Sequence, residues 1–246
     1  MISTRAMNIA ATVMAGVAAL VLMGGALFWL AQRPVFDLRT LVVEGDLQHV
    51  TAPTLRAALA GRVRGNYFTV SLDEVRRTCE TVPWVAEASV RRVWPDRLLL
   101  ELREHRARGV WSDGRLLSDE GRLFVANAAE ADLFGALPEF TGPAAAAPEA
   151  TRRYYQFAAQ VAPLGARVTD LDVSERASWS LVMAGETLPS TRIELGRDSP
   201  NTPVVERLER LVAQYPMVMA RLGAAPIRLD ARYSNGFAAA LPAKTK

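Results

Sequence analysis

From residue 6 to residue 32 the chain reads AMNIAATVMAGVAALVLMGGALFWLAQ, without one charged side chain. As a helix rising about 1.5 Å per residue, the roughly two dozen residues 7–30 cover about 36 Å, more than the ~30 Å hydrocarbon thickness of a bilayer. Tilt accommodates the excess. A cleaved signal peptide has a shorter apolar core, about 7 to 15 residues, ending in a small-x-small site, and here Phe28, Trp29 and Leu30 stand where that site belongs. A core helix of a soluble domain would carry a polar stripe, and this run is apolar on every face. The expectation is an uncleaved transmembrane helix over residues 7–32 behind a short tail of residues 1–6. Trp29 and Arg33 fit an interfacial anchor. Gly16, Gly24 and Gly25 read as ordinary membrane-helix composition. Arg5 and the terminal amine oppose Arg33 and Arg39 across the span, so charge alone does not orient it.

The rest of the 246-residue chain is long enough for one large or two ordinary domains. A lone Cys79 forms no intrachain disulfide, which excludes a disulfide scaffold. The formal charge is +3, and the only lysines are Lys244 and Lys246, so neither a nucleic-acid stripe nor a polybasic membrane patch stands out.

The first soluble block opens on a strand expected at residues 36–43, closed by Gly45. A short helix follows, with Thr51 as cap, Pro53 in the first turn and Gly61 as the stop. The next helix starts at Leu72. Ser71 and Glu74 make a capping box, and Leu72, Val75, Cys79 and Val82 repeat at helical spacing until Pro83, which makes Cys79 a core residue. Ala86, Ala88 and Val90 then alternate with Glu87, Ser89 and Arg91. Across Trp94-Pro95-Asp96 the alternation resumes as Leu98, Leu100 and Leu102 against Leu99, Glu101 and Arg103, which is a hairpin. The block is strand, helix, helix, strand, strand, with two helices on one sheet face.

FDLRTLVVEG, GNYFTVSLDEV and above all PWVAEASVRRVWPDRLLLELRE, in this order directly behind the apolar helix, resemble the POTRA domain of the FtsQ/DivIB bacterial cell-division family. The boundaries this implies are 36–105 for the POTRA domain and 106–242 for an FtsQ-type β domain, with a disordered tail at 243–246. The fold class is α+β: a transmembrane helix, a POTRA domain, then a mixed antiparallel β-rich domain with two helices.

The second block begins as a meander whose turns are Asp113-Gly114 and Glu120-Gly121. Residues 126–148 read as a surface loop apart from 137–140. A helix over 149–161 puts Tyr154, Phe157, Ala158 and Val161 on one face. Strand patterns return at 168–173, 179–183 and 191–195. A helix opened by Pro200 or Pro203 then carries Val204, Leu208, Leu211 and Val212 on one side, with Pro216 expected to kink or end it. The last segment alternates Ile227, Leu229, Ala231 and Tyr233 with Arg228, Asp230 and Arg232, then turns at Asn235-Gly236. The order LGRD, helix, QYP, LDARYSNGFA is similar to the β domain of the same family.

Catalytic signatures are missing: there is no GxSxG, HExxH, paired CxxC or phosphate loop. His49 and His105 sit in unrelated contexts, and the folded part holds no lysine for Schiff-base or Ser-Lys chemistry. Carboxylate pairs such as Asp170 with Asp172 and Asp119 with Glu120 read as solvated charge. The expectation is a non-enzyme without metal, cofactor, nucleic acid or small-molecule substrate, set against a membrane-anchored periplasmic hydrolase as the enzyme alternative. Binding has a mechanism instead, because a sheet that ends on the chain's last strands offers unpaired N–H and C=O groups to an incoming strand. The resemblance implies that this edge docks the small coiled-coil division proteins FtsB and FtsL through Tyr233, Ser234, Asn235, Gly236 and Phe237. Tyr233 would be the aromatic anchor, Gly236 would allow close backbone approach, and Phe237 would begin the pairing edge. Beside that role, Tyr233 also reads as continuing the apolar strand face, and Asn235-Gly236 as a plain hairpin turn. Arg176, in RASW, lies near where the family carries a basic residue facing the partner, although an exposed arginine needs no such role. The same resemblance implies a single-pass inner-membrane scaffold at the septum, its N-terminus cytoplasmic and its domains periplasmic, linking early and late division components. A POTRA component of membrane-protein assembly or secretion is the other alternative. Such proteins carry several POTRA units before a membrane barrel, a pattern this sequence lacks.

Overall fold

The computed structural model describes residues 4–131, 136–186, 188–200, 202–233 and 235–242. It divides into two compact units, Met1–Glu104 and His105–Lys246. The expected tail at 243–246 lies outside the described residues.

The first unit begins with helix α1 (Thr4–Ala31). Its Ala11–Ala31 portion has a mean hydropathy of 2.2 and is long and apolar enough to cross a membrane. A turn of 3-10 helix, Pro34–Phe36, follows. The strand expected from residue 36 therefore starts later, as β1 (Thr40–Glu44), because Pro34 opens a turn that runs to Phe36 and the extended Asp37 bridges Asn66 instead of β3. Helix α2 (Ala52–Leu59) is capped by Thr51, whose side chain accepts from the Thr54 N–H. Helix α3 (Leu72–Glu80) is capped in the same way by Ser71, whose hydroxyl accepts from the Glu74 N–H. Strands β2 (Val85–Val93) and β3 (Arg97–Glu104) form the expected hairpin, and β1 pairs parallel to β3, giving the order β1-β3-β2. Leu98, Leu100 and Leu102 are buried under the helices with Val75 and Cys79, and Leu99 on the opposite face is buried as well.

In the second unit, β4 (Ala107–Trp111), β5 (Leu116–Ser118) and β6 (Leu123–Phe124) form the meander, with Gly114 and Gly121 at positive φ in its turns. The interval expected as loop contains a short helix α4 (Ala128–Ala131), and residues 137–140, set apart from that loop, carry most of strand β7 (Glu139–Thr141). Helix α5 (Ala147–Val161) leads to β8 (Ala166–Val173), β9 (Ser178–Gly185) and β10 (Thr191–Arg197). Helix α6 (Val204–Leu222), then β11 (Arg228–Asp230) and β12 (Ala238–Ala240), complete the chain. One nine-stranded sheet holds them in the order β12-β11-β10-β9-β8-β7-β4-β5-β6. The sheet is mixed rather than antiparallel throughout, because β7 pairs parallel with both β4 and β8, and β11 pairs parallel with β10. Pro216 lies inside α6 without ending it. Tyr215 beside it is buried against the sheet, and that packing carries the helix past the missing N–H to Gly223, which closes it at φ +69°.

The core is organised in registers. Leu171, Leu181, Ile193 and Leu229 are paired in sequence across β8, β9, β10 and β11, each at most 1 % exposed. Phe157 and Val161 of α5 and Leu208 and Leu211 of α6 belong to the same cluster. The β10 ladder bulges between Glu194 and Gly196, and Gly196 takes φ +77° there, with Arg232 Cγ 3.0 Å from where a Cβ would sit. Gly196→Ala is expected to lower the stability of this unit by about 1–2 kcal/mol, seen as a lower urea midpoint in detergent.

Candidate functional site

The apolar row that crosses the sheet does not stop at Leu229. Its next register partner is Ala239 in β12, the last strand of the sheet, and Ala238, Ala239 and Ala240 are all exposed. The direction of the backbone groups follows from the ladder. Arg192 N–H donates to the Ile227 carbonyl at 2.9 Å and Ala231 N–H donates to the Glu194 carbonyl at 2.9 Å, so Leu229 and Ala231 turn toward β10, while Ile227, just ahead of β11, also donates its N–H to the Ala240 carbonyl at 2.9 Å. Arg228 and Asp230 therefore turn toward β12, where they pair with Ala240 and Ala238. The Ala239 N–H and C=O are left pointing away from the sheet. The result is an open edge with small side chains, its backbone donor and acceptor facing outward beside a fully apolar register row.

Residues 231–237 form the connection into that edge. Tyr233 is 56 % exposed, off the apolar face that Leu229 and Ala231 continue into the core. Gly236 does not adopt a positive φ, and a Cβ added there would meet nothing within 4 Å. A type I′ turn needs φ > 0 at both central residues and a type II′ turn at the first, and neither Asn235 nor Gly236 takes one, so the tight Asn235-Gly236 turn is replaced by a wider loop. Phe237 is half-buried against the core cluster. Ser234 lies outside the described residues. Helix α6 holds the loop from one side, since Arg210 Nη2 donates to the Tyr233 carbonyl at 3.1 Å and its guanidinium lies 5.9 Å from the Phe237 ring centre. Arg207, one turn earlier, donates to the carbonyls of Leu195 (2.6 Å) and Arg197 (2.9 Å). Arg207 and Arg210 escaped the sequence reading. Their i,i+3 spacing on the polar side of α6 was the available signal, but nothing local says that this side faces strand ends.

Arg176 is elsewhere. It sits on the exposed tip of the β8–β9 hairpin, in a turn where the Ser174 N–H donates to the Ser178 carbonyl at 2.9 Å and Ala177 takes φ 53°. Ser178 pairs with Arg197, and β10 runs parallel to β11, so this tip and the loop after β11 share one end of the sheet. Strands β10 and β11 lie between Arg176 and β12. At about 4.8 Å per strand that is some 15 Å. The fold thus gathers Tyr233, Asn235, Gly236 and Phe237 into one loop and leaves Arg176 at the same end but off the edge.

The sheet face opposite the helices is charged. Arg192 pairs with Asp172 and, at 3.4 Å, with Glu194, which Arg228 also reaches at 3.3 Å. Asp230 is bound at 2.6 Å by Arg232, and that hydrogen bond holds its carboxyl below the usual range against the opposing effect of partial burial. These partly exposed pairs keep the outer face solvated. Both histidines stack on aromatic rings, His49 on Trp84 at 3.8 Å and His105 on Phe124 at 4.2 Å. No group of three potential metal ligands occurs among the described residues.

One apolar helix, a three-stranded sheet backed by two helices and a larger mixed sheet with an open last strand define a membrane-anchored modular α+β protein. Residues 36–105 match the POTRA domain, FtsQ-type, and residues 109–232 match the cell division protein FtsQ/DivIB C-terminal family. The chain is 41 % identical over 236 residues to cell division protein FtsQ of Burkholderia pseudomallei (strain K96243), covering 96 % of this chain and 92 % of that protein. It is 36 % identical to cell division protein FtsQ of Bordetella pertussis over 96 % of this chain and 91 % of that protein. A third relative, cell division protein FtsQ of Allochromatium vinosum, is 33 % identical over 90 % of this chain and 86 % of that protein. The chain belongs to the FtsQ/DivIB family of cell division proteins. It has a role in the division complex, and among the described residues one helix is long and apolar enough to cross a membrane.

Proposed function

We propose that this protein is a non-catalytic scaffold of the division complex that captures FtsB- and FtsL-type partners by strand addition at β12. Its N-terminus is cytoplasmic, its two folded units are periplasmic, and it acts at the septum of the inner membrane, linking early and late components. The observation that carries the reading is Ala239. Its backbone N–H and C=O point away from β11, and its side chain continues the row Leu171, Leu181, Ile193, Leu229. A partner strand laid antiparallel along Ala239 gains backbone hydrogen bonds and places an apolar residue at the end of that row. The exposed Tyr233 ring supplies the anchor at the entry to the edge, and Asn235, Gly236 and Phe237 line the approach. A partner that follows the end of the sheet rather than its edge also meets Arg176.

Crosslinking in cells from a photoreactive residue at position 233 or 239 is expected to capture a small coiled-coil division protein, and Tyr233→Ala is expected to weaken its co-purification about tenfold or more. Unchanged co-purification of Tyr233→Ala together with capture only from the β6 edge would overturn the assignment.

A further inference from the structure

The first unit carries an exposed aromatic cluster that the partner edge does not use. We infer that Phe36, Tyr67, Phe68 and Trp94, with Val35, form a lipid seat, which rests the first unit on the membrane surface beside the point where α1 emerges.

The cluster is built from three separate stretches. The ring centre of Phe36 is 5.0 Å from that of Phe68 and 5.6 Å from that of Trp94, while Tyr67 lies 5.3 Å from Phe68 and 5.5 Å from Trp94. Aromatic residues packed this way normally occupy a core. Here Trp94 is 63 % exposed, Phe68 47 % and Val35 64 %, so the cluster presents its apolar side outward.

Its height relative to a bilayer is fixed by hydrogen bonds. Asn66 Nδ2 donates to the carbonyl of Ala31, the last residue of α1, at 2.6 Å. Tyr67 N–H donates to the Phe36 carbonyl at 2.8 Å, and Asn66 bridges to Asp37. The loop carrying Tyr67 and Phe68 is thereby tied to the end of the membrane helix. Ala11–Ala31 spans about 31 Å at 1.5 Å per residue, enough to cross the hydrocarbon layer, and Arg33 is the first charged residue after it, which sets the boundary near Ala31. The headgroup layer continues about 5–8 Å beyond. Rings one or two residues from Asn66, and a Trp94 ring in contact with them, fall within it.

The surroundings suit that layer. Arg33 stacks on Trp29 at 3.4 Å, and Arg39, Arg62 and Arg64 are exposed on the flanking segments, with Asp37 and Asp96 the acidic groups among them. Through Leu38 and Gly65 the patch adjoins an open pocket of about 290 Å³ lined by Leu41, Leu59 and Val63 together with Arg39 and Arg56. Aromatic rings that bury an apolar body and keep a polar tip wet, ringed by arginines, are the composition found at membrane interfaces. A lipid surface is the occupant for which this continuity with α1 argues.

The test uses the purified full chain, in vesicles of phosphatidylethanolamine and phosphatidylglycerol containing a lipid brominated near the headgroup end of its acyl chain. Trp29→Phe removes the tryptophan of the span itself. Trp84, Trp111 and Trp179 are buried in the two cores, so Trp94 is the exposed tryptophan that remains. The expected result is quenching in Trp29→Phe protein that disappears when Trp94→Phe is added. A Phe68→Glu substitution is expected to reduce the same quenching while leaving the emission of the buried tryptophans unchanged. Protein that floats with the vesicles but is quenched equally with and without Trp94, or not at all, overturns the seat and leaves a protein partner as the occupant. Failure to float would instead overturn the reading of α1 as a membrane span, and the seat with it.

Discussion

Replacing Ala239 by proline is expected to reduce recovery of the partner complex at least about tenfold while leaving the melting temperature of the second unit nearly unchanged. The asymmetry comes from the ladder. In β12 the groups of Ala238 and Ala240 are engaged with Asp230 and Arg228, whereas the Ala239 N–H points outward. Proline removes an N–H that no residue of this sheet uses, and edge strands tolerate it. An incoming strand, by contrast, loses a donor and leaves its own carbonyl unsatisfied, a cost of about 1–3 kcal/mol, or roughly ten- to a hundredfold in affinity. Phe237→Pro serves the same purpose less cleanly, because Phe237 also packs on the core. Ala239→Ser keeps the N–H and is expected to retain binding. Full recovery of the complex from Ala239→Pro cells, with Phe237→Pro and Tyr233→Ala equally silent, would sink strand addition at this edge.

The largest effect on stability is expected at Glu104, the last residue of the first unit. Its carboxylate accepts from three consecutive backbone N–H groups, Gln48 at 3.1 Å, His49 at 3.0 Å and Val50 at 2.6 Å, and from His49 Nδ1 at 3.0 Å. Burial pushes its pKa up, but the backbone bond from Val50, the His49 side chain and the Gln48 and His49 backbone bonds together outweigh burial and hold it below the usual value. Glu104→Ala leaves those donors facing an apolar void, with an expected loss of about 3 kcal/mol. A group whose folded pKa is depressed contributes fully above its unfolded value, about 4.3 for Glu, and that contribution is lost as pH falls through the folded value. Thermal melts of the wild-type first unit are therefore expected to fall with acidification below about pH 4.5. Glu104→Gln, which keeps one acceptor, is expected to lose less than Glu104→Ala at pH 7 and to melt with a flatter acid profile. An acid profile unchanged in Glu104→Gln would show that other carboxylates govern it.

Much of the chain was legible because its signals are local. The apolar run, the caps Thr51 and Ser71, the stripe that buries Cys79, and the alternation on either side of Trp94-Pro95 each depend on a few neighbouring residues. The structure reproduces them as α1, α2, α3 and the β2–β3 hairpin. The features that the sequence leaves open involve contacts between distant residues. Strand β7 has only three residues and no alternation of its own, yet it lies in mid-sheet, held by parallel partners on both sides. Pro216 reads locally as a kink or an end, and burial of Tyr215 with the core contacts of Val218 and Met219 carries the helix past it. Tyr233 fitted an apolar period that the strand abandons after Ala231.

The sequence by itself determined that the chain carries a membrane-length helix, a strand-helix-helix-strand-strand unit and a second β-rich unit ending on a short last strand. Caps, periods and composition act within a few residues of one another and are written in order along the chain. Only the tertiary structure decided that α6 carries the chain from β10 to a parallel β11, that β12 closes the sheet with the Ala239 backbone facing outward, and that Asn66 ties the aromatic loop to the end of α1. Those facts depend on contacts between residues far apart in sequence, whose formation is governed by which hydrophobic faces can be buried together.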